Sequence, residues 1–218
     1  MSIKETLLFI MTLLLLSPLA AQQQKVVGYL PYYRFPIVDE LQLDKLTHLC
    51  IAFANPDAQG YLQTGGVELS PVVKKAKAKG LKVMVSLAGG ALNPDETAAW
   101  KFHQLPHNRP AFIRKILDYV QLNELDGVDV DLEWKYVGPH YSGFITELGA
   151  ALHQRGKLMS IAVPARHRYE HLSRAALLVP DFVNIMAYDL TGHWAPDRPG
   201  PHSPYDLAVS SLRYWKSQ

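Results

Sequence analysis

Residues 126–134 read Asp126-Gly127-Val128-Asp129-Val130-Asp131-Leu132-Glu133-Trp134. Acid alternates with aliphatic at the period of a β-strand, whose side chains point to opposite faces in turn. Asp129, Asp131 and Glu133 therefore share one face, and Val128, Val130 and Leu132 share the other. Asp126 is out of phase with those three acids and reads as a buried structural carboxylate. What the two faces meet depends on where the strand sits. On an antiparallel surface strand, alternating acids are a plain solvent face. Inside a parallel βα series, helices cover the apolar side and the acids point into an enclosed space.

The flanking sequence selects the second arrangement. Short apolar runs at 25–30, 46–53, 82–87, 127–132, 158–163 and 182–188 read as six strands. Between the second and third, Ser70 as cap, Pro71 at the first position and Gly80 past the end mark a helix. Phe112, Ile113, Ile116, Leu117 and Val120 fall on one face of a helix opened by Pro110. Phe144, Ile145, Leu148 and Leu152 repeat the device, and Gly156 closes that helix. Asp206 is placed to cap a last helix running through Val209, Leu212 and Trp215. Strand then helix, repeated, is α/β architecture built on a parallel sheet. No proline-rich linker, low-complexity tract or short repeat divides the series, so one domain is expected.

Three carboxylates facing an enclosed space have chemical consequences. A buried ionised carboxylate is costly unless paired, and neighbouring like charges cannot all stay ionised near neutral pH. At least one proton is shared among them. Acids that push one another's pKa upward suit general acid catalysis in a hydrolase. Evenly spaced carboxylates also suit a calcium or magnesium site. The residues by themselves favour the hydrolase and leave the cation site open.

The same stretch resembles the DGxDxDxE signature of the chitinase family of glycoside hydrolases, family 18. Other segments resemble the family in the expected order: Val27-Gly28-Tyr29, Thr47 to Ala54, Ser160 to Pro164, and Asn184-Ile185-Met186-Ala187-Tyr188-Asp189 as the MxYD motif. Ser86-Leu87-Ala88-Gly89-Gly90 resembles the SxGG motif, with Ala88 at the first glycine or inserted beside it. The resemblance implies a (β/α)₈ TIM barrel with its site at the C-terminal ends of the strands. It also implies substrate-assisted retention, in which the sugar's own 2-acetamido oxygen attacks the anomeric carbon. Glu133 would then donate the proton and later activate water, Asp131 would orient the acetamido group, and Asp129 would set the proton balance of Asp131. Tyr188 would hydrogen-bond the acetamido group, and Asp189 would hold the sugar if the chain twists at the strand end. Tyr29, Phe53, Met186 and Trp194 would form the floor and walls of the sugar site, although each is also an ordinary core residue. Trp134 and Lys135-Tyr136-Val137 depart from the tyrosine and proline-bearing turn that usually follow the glutamate.

Chitin or chito-oligosaccharide is the implied substrate. An endo-β-N-acetylglucosaminidase acting on N-glycans, and a chitin-binding lectin without activity, remain as other readings of the same resemblance. No cofactor or metal is implied.

Residues 1–21 combine Lys4, an apolar run from Leu7 to Leu16 and small residues ending in Ala20-Ala21. That is the pattern of a secretory signal peptide, too short in its apolar part for the roughly 20 residues of a membrane span. Residues 22–218 are then the catalytic domain of an exported protein. They fall short of the ~250 residues typical of this barrel, so the catalytic domain is expected to be incomplete at the C-terminus, a fragment truncated after about six βα units with two open sheet edges. Cys50 is the one cysteine and reads as a buried thiol, so the core holds without disulfides. The 22 basic and 20 acidic residues are dispersed, which argues against nucleic acid as a partner. A monomer that stays off the membrane after signal cleavage is expected. His103 and His107 have helical ligand spacing, but Pro106 interrupts it and both read as surface or loop residues; His193 lies near enough to the Tyr188-Asp189 motif to approach substrate.

Overall fold

The computed structural model describes residues 24–218, so the expected signal segment at 1–21 lies outside the described residues. Six parallel strands run side by side in the order β1 (Val27–Pro31), β2 (His48–Pro56), β4 (Lys82–Gly89), β5 (Gly127–Leu132), β6 (Leu158–Pro164) and β7 (Phe182–Met186). A two-residue strand, β3 (Leu62–Gln63), folds back antiparallel on the end of β2. Helices α1 (Ser70–Ala78), α2 (Pro94–His103), α3 (Arg109–Leu122), α4 (Tyr141–His153), α5 (Arg174–Leu177) and α6 (Tyr205–Lys216) follow the strands. The strands form an arc of a barrel, six of the eight that a closed (β/α)₈ barrel carries.

Parity decides the layers. Leu49 and Ile51 on β2, Val83, Val85 and Leu87 on β4, Val128, Val130 and Leu132 on β5, and Ile161 and Val163 on β6 belong to one buried apolar cluster. Phe112, Ile116 and Val120 from α3 and Phe144, Ile145 and Leu148 from α4 complete it. Each such side chain contributes about 1.5–3 kcal/mol when fully buried, so this layer between sheet and helices carries the fold. Trp100, Phe112 and Phe144 pack ring against ring at 5.5–5.9 Å within it. The alternate residues turn to the inside of the arc.

There the first and last strands meet. Asn184 of β7 donates to the Tyr29 hydroxyl of β1 at 2.9 Å, and the Phe182 ring stands edge-on to His48 of β2 at 5.3 Å.

Several local expectations are corrected. Ser70 is the first helical residue of α1 rather than its cap, because Leu69 holds that position with no side-chain bond. Pro204 precedes α6, and Asp206 lies within its first turn. The capping box that opens α2, with Asn93 and Glu96 each bonding the other's backbone, escaped the reading. β7 ends at Met186, two residues early, since the Ala187 amide turns back onto the Ile185 carbonyl at 2.9 Å. His103 is buried and stacked on Phe112 at 5.1 Å, which an aromatic ring near a helix end can achieve without polar partners. Asp126 is half-buried at the foot of β5, where it accepts from the Val83 amide at 2.8 Å with Lys77 and Lys82 nearby.

Candidate active site

The acids of β5 stand at three depths of the arc. Asp129, the deepest, is fully buried, and four donors fill its two oxygens. Ser86 of β4 and Tyr29 of β1 donate to Oδ2 at 2.7 and 2.9 Å, while Ser160 of β6 and Asn184 of β7 donate to Oδ1 at 2.6 and 3.1 Å. That is the acceptor capacity of a carboxylate, so its oxygens are committed to the protein rather than to a cation. The sequence reading missed Ser86, Ser160 and Asn184. Strand register could have found two of them, because Ser86 and Ser160 are small polar residues in apolar runs directly beside Asp129.

One residue pair higher, Asp131 is 6% exposed and its Oδ1 has no hydrogen-bond partner. Burial first, then the charges of Asp129 and Glu133, push its carboxyl up to about 8. Such a group holds a proton at neutral pH.

Glu133 lies at the mouth. Burial raises its pKa, the Trp134 side chain pulls the other way, and Asp189 adds to the rise. A carboxyl raised above its ordinary value and half-open to a cleft suits general acid chemistry. At Trp134 the backbone turns into the left-handed region at φ 49°, which ends the strand just past the acid and leaves the indole exposed beside His167 and Tyr169. The Trp134 amide donates to the Tyr169 hydroxyl at 3.3 Å.

A cleft of about 1080 Å³ opens above these acids, lined by Tyr32, Tyr33, Phe53, Asp131, Glu133, Trp134, His167, Met186, Tyr188 and Asp189 among others. The end of β4 makes room for it. Gly89 sits at φ 89°, and a Cβ there would come within 2.9 Å of the Phe53 ring; a Cβ on Gly90 would lie 2.8 Å from Glu133 Oε1. Ala88 adopts φ 80°, a conformation that favours glycine, which accounts for its correspondence to the first glycine of the SxGG motif rather than to an insertion.

Asp131, Glu133, Phe53, Met186, Tyr188 and Asp189 thus meet at one cleft. Asp189 reaches it because its own φ of 57° breaks strand parity. Two residues expected on the walls are elsewhere. Tyr29 does not line the cleft: its hydroxyl lies one layer down, bonded to Asp129 and Asn184. Trp194 also stands off the cleft, packed over Gly192 and edge-on to His202 at 6.0 Å, because the loop after β7 folds on itself. His193, just before Trp194, packs its ring against that indole. Burial pushes the Tyr188 hydroxyl up to about 12, with Asp131, Glu133, Asp189 and Asp129 adding, so it is a hydrogen-bond donor at any ordinary pH. The cleft residues Tyr32, Tyr33, Asn55 and His167 were not foreseen.

A parallel barrel sheet that raises a row of acids to the mouth of an aromatic-lined cleft defines the class of TIM-barrel glycoside hydrolases. The family model described as Glycosyl hydrolases family 18 matches residues 25–218, and the chain belongs to that family. Among solved structures, the GH18 chitinase ChiB from the chitin utilization locus of Flavobacterium johnsoniae is similar with a TM-score of 0.85 and 42% identity, covering 89% of this chain and 63% of that one. A chitinase from Bacteroides thetaiotaomicron is similar at 0.74 and 27%, with the same coverage. A protein named chitinase-like effector from Moniliophthora roreri is 29% identical over 244 residues, 96% of this chain and 58% of that protein. The chain therefore spans about three fifths of each of these three proteins.

Proposed function

We propose that this chain carries the acid–base machinery of an exported hydrolase that cleaves β-1,4 bonds between N-acetylglucosamine units of chitin or chito-oligosaccharides. The observation that carries the reading is the division of labour among three stacked acids: Asp129 filled by donors, Asp131 buried with a free oxygen, and Glu133 open to the cleft. Asp131 orients the substrate's acetamido group, its free oxygen accepting from the acetamido N–H, and stabilises the positively charged oxazolinium intermediate. Glu133 gives its proton to the glycosidic oxygen as the C–O bond breaks and the acetamido oxygen bonds to the anomeric carbon. Water then attacks that carbon, giving its proton back to Glu133, and the acetamido group is released with retention. Tyr188 donates to the acetamido oxygen, and Asp189 holds the sugar hydroxyls. Phe53 and Met186 offer apolar surface to the pyranose face. Export is supported by the signal-like residues 1–21.

The test is product release by the whole protein from N-acetylglucosamine oligomers and from N-glycoprotein, beside its Glu133→Gln variant. Cleavage of the oligomers is expected, with kcat lowered by about 10²–10⁴ in the variant and oligomer binding kept. Cleavage of the glycoprotein alone would move the substrate to N-glycans. Binding of chitin without cleavage of either would make the protein a lectin.

A further inference from the structure

The loop between β7 and α6 is closed on itself by a short set of hydrogen bonds. The Ser203 hydroxyl donates to the Ala187 carbonyl at 2.6 Å, the Leu190 amide to the His202 carbonyl at 3.1 Å, and the Thr191 hydroxyl to the Gly200 carbonyl at 2.7 Å. These bring the His202 ring back beside the start of the loop. There, Nε2 lies 3.1 Å from Asp189 Oδ1 and Nδ1 lies 3.1 Å from the Thr191 carbonyl. The Tyr188 ring lies nearly parallel to the imidazole at 6.5 Å and 10°, and the Trp194 indole stands edge-on at 6.0 Å. The imidazole is thus fixed by two rings and two acceptors.

We propose that His202 is a positioning residue that holds the Asp189 carboxylate at the mouth of the cleft, so that its second oxygen is aimed at the sugar. The inference rests on the role given to Asp189 above and extends it to a residue outside the cleft. Asp189 needs such a support. Its side chain is 64% exposed and its backbone sits at φ 57°, so without a partner the carboxylate would sample several rotamers. A contact this exposed adds at most about 1 kcal/mol to stability even when both groups are charged, so orientation is the function that remains for it. Both neighbours of the ring are acceptors, the Thr191 carbonyl beside Nδ1 and the Asp189 carboxylate beside Nε2. The titratable groups facing it are Asp189 and Tyr188, with His193 behind Trp194 and Asp197 and Arg198 further along the same loop.

A double-mutant cycle tests the coupling, read as calorimetric affinity of the whole protein for the N-acetylglucosamine tetramer in a Glu133→Gln background that cannot consume it. His202→Ala is expected to weaken binding about tenfold, and His202→Gln, which keeps one donor, to recover part of the loss. Asp189→Gly removes the carboxylate at a φ that glycine accepts. In that background His202→Ala should cost nothing further, with melting temperatures alike across the set. Additive losses, or a loss that follows the melting temperature, would overturn the proposal, because His202 would then touch the sugar itself or merely hold the loop. If no variant, including the parent, binds the tetramer, the substrate reading fails and the imidazole N–H proton decides separately. A hydrogen-bonded His202 N–H resonance that is lost in Asp189→Gly keeps the positioning role, and no such resonance in the parent removes it.

Discussion

At Asp131, burial and the two neighbouring acids act in the same direction, raising the carboxyl from 3.8 to about 8. Between those values the folded chain keeps a proton that the unfolded chain releases, so stability falls as pH rises through the window. The contribution is complete below about 4 and gone above about 8, a difference of a few kcal/mol. Asp131→Asn removes the titration. Its melting temperature relative to the parent should therefore be higher at pH 9 than at pH 5. Parallel curves at the two pH values would mean that Asp131 titrates as an ordinary surface acid. Glu133 is raised by burial with Asp189 adding, so the placement of Asp189 beside His202 also bears on the carboxyl that we propose as the proton donor.

The ends of β4, β5 and β7 leave ordinary strand geometry, and at each a residue other than glycine takes a positive φ: Ala88, Trp134 and Asp189. Strain of this kind collects where the surroundings over-determine the backbone; of the four such residues described, Glu124 follows helix α3 and the other three sit around one cleft. A β-branched side chain fits such a conformation worst, so Ala88→Val should lower stability by about 2 kcal/mol while Ala88→Gly leaves it unchanged or higher. Denaturant midpoints of the two variants measure the difference. Gly90 makes a separate case, since its backbone is ordinary and the clash of an added Cβ is with the tip of Glu133. Gly90→Ala is therefore expected to keep the fold and push the acid aside, lowering kcat about a hundredfold at an unchanged melting temperature. Activity equal to the parent would show that Glu133 has another rotamer that works.

Across the whole molecule, Asp129 is the point where β1, β4, β5, β6 and β7 are joined by side chains rather than by the sheet ladder. Tyr29 and Asn184 reach it from the first and last strands, which are not neighbours in the sheet. Tyr29→Phe removes one donor from a buried carboxylate and one acceptor from Asn184, a loss of about 1.5–3 kcal/mol. Chemical denaturation should show it as a lower midpoint at an unchanged slope, because the compactness of the ends of the transition does not change. A silent Tyr29→Phe would mean that the first and last strands are held by the sheet alone.

The sequence by itself determined the strand and helix series, the face on which the acids stand and the family, because each follows from local periodicity and fixed spacing. The (βα) repeat and the six-strand arc were legible for the same reason, down to the apolar faces of α3 and α4. Only the tertiary structure decided which residues attend the acids. Ser86, Ser160 and Asn184 converge on Asp129 from three other strands, and no spacing along the chain records that convergence. Tyr29 moved from the cleft wall to the layer below, and Trp194 moved off the cleft, because strand register and loop closure set depth while residue type does not. His202 came beside Asp189 through a loop that returns on itself, a contact fixed by hydrogen bonds distant in sequence and so invisible until the chain is folded.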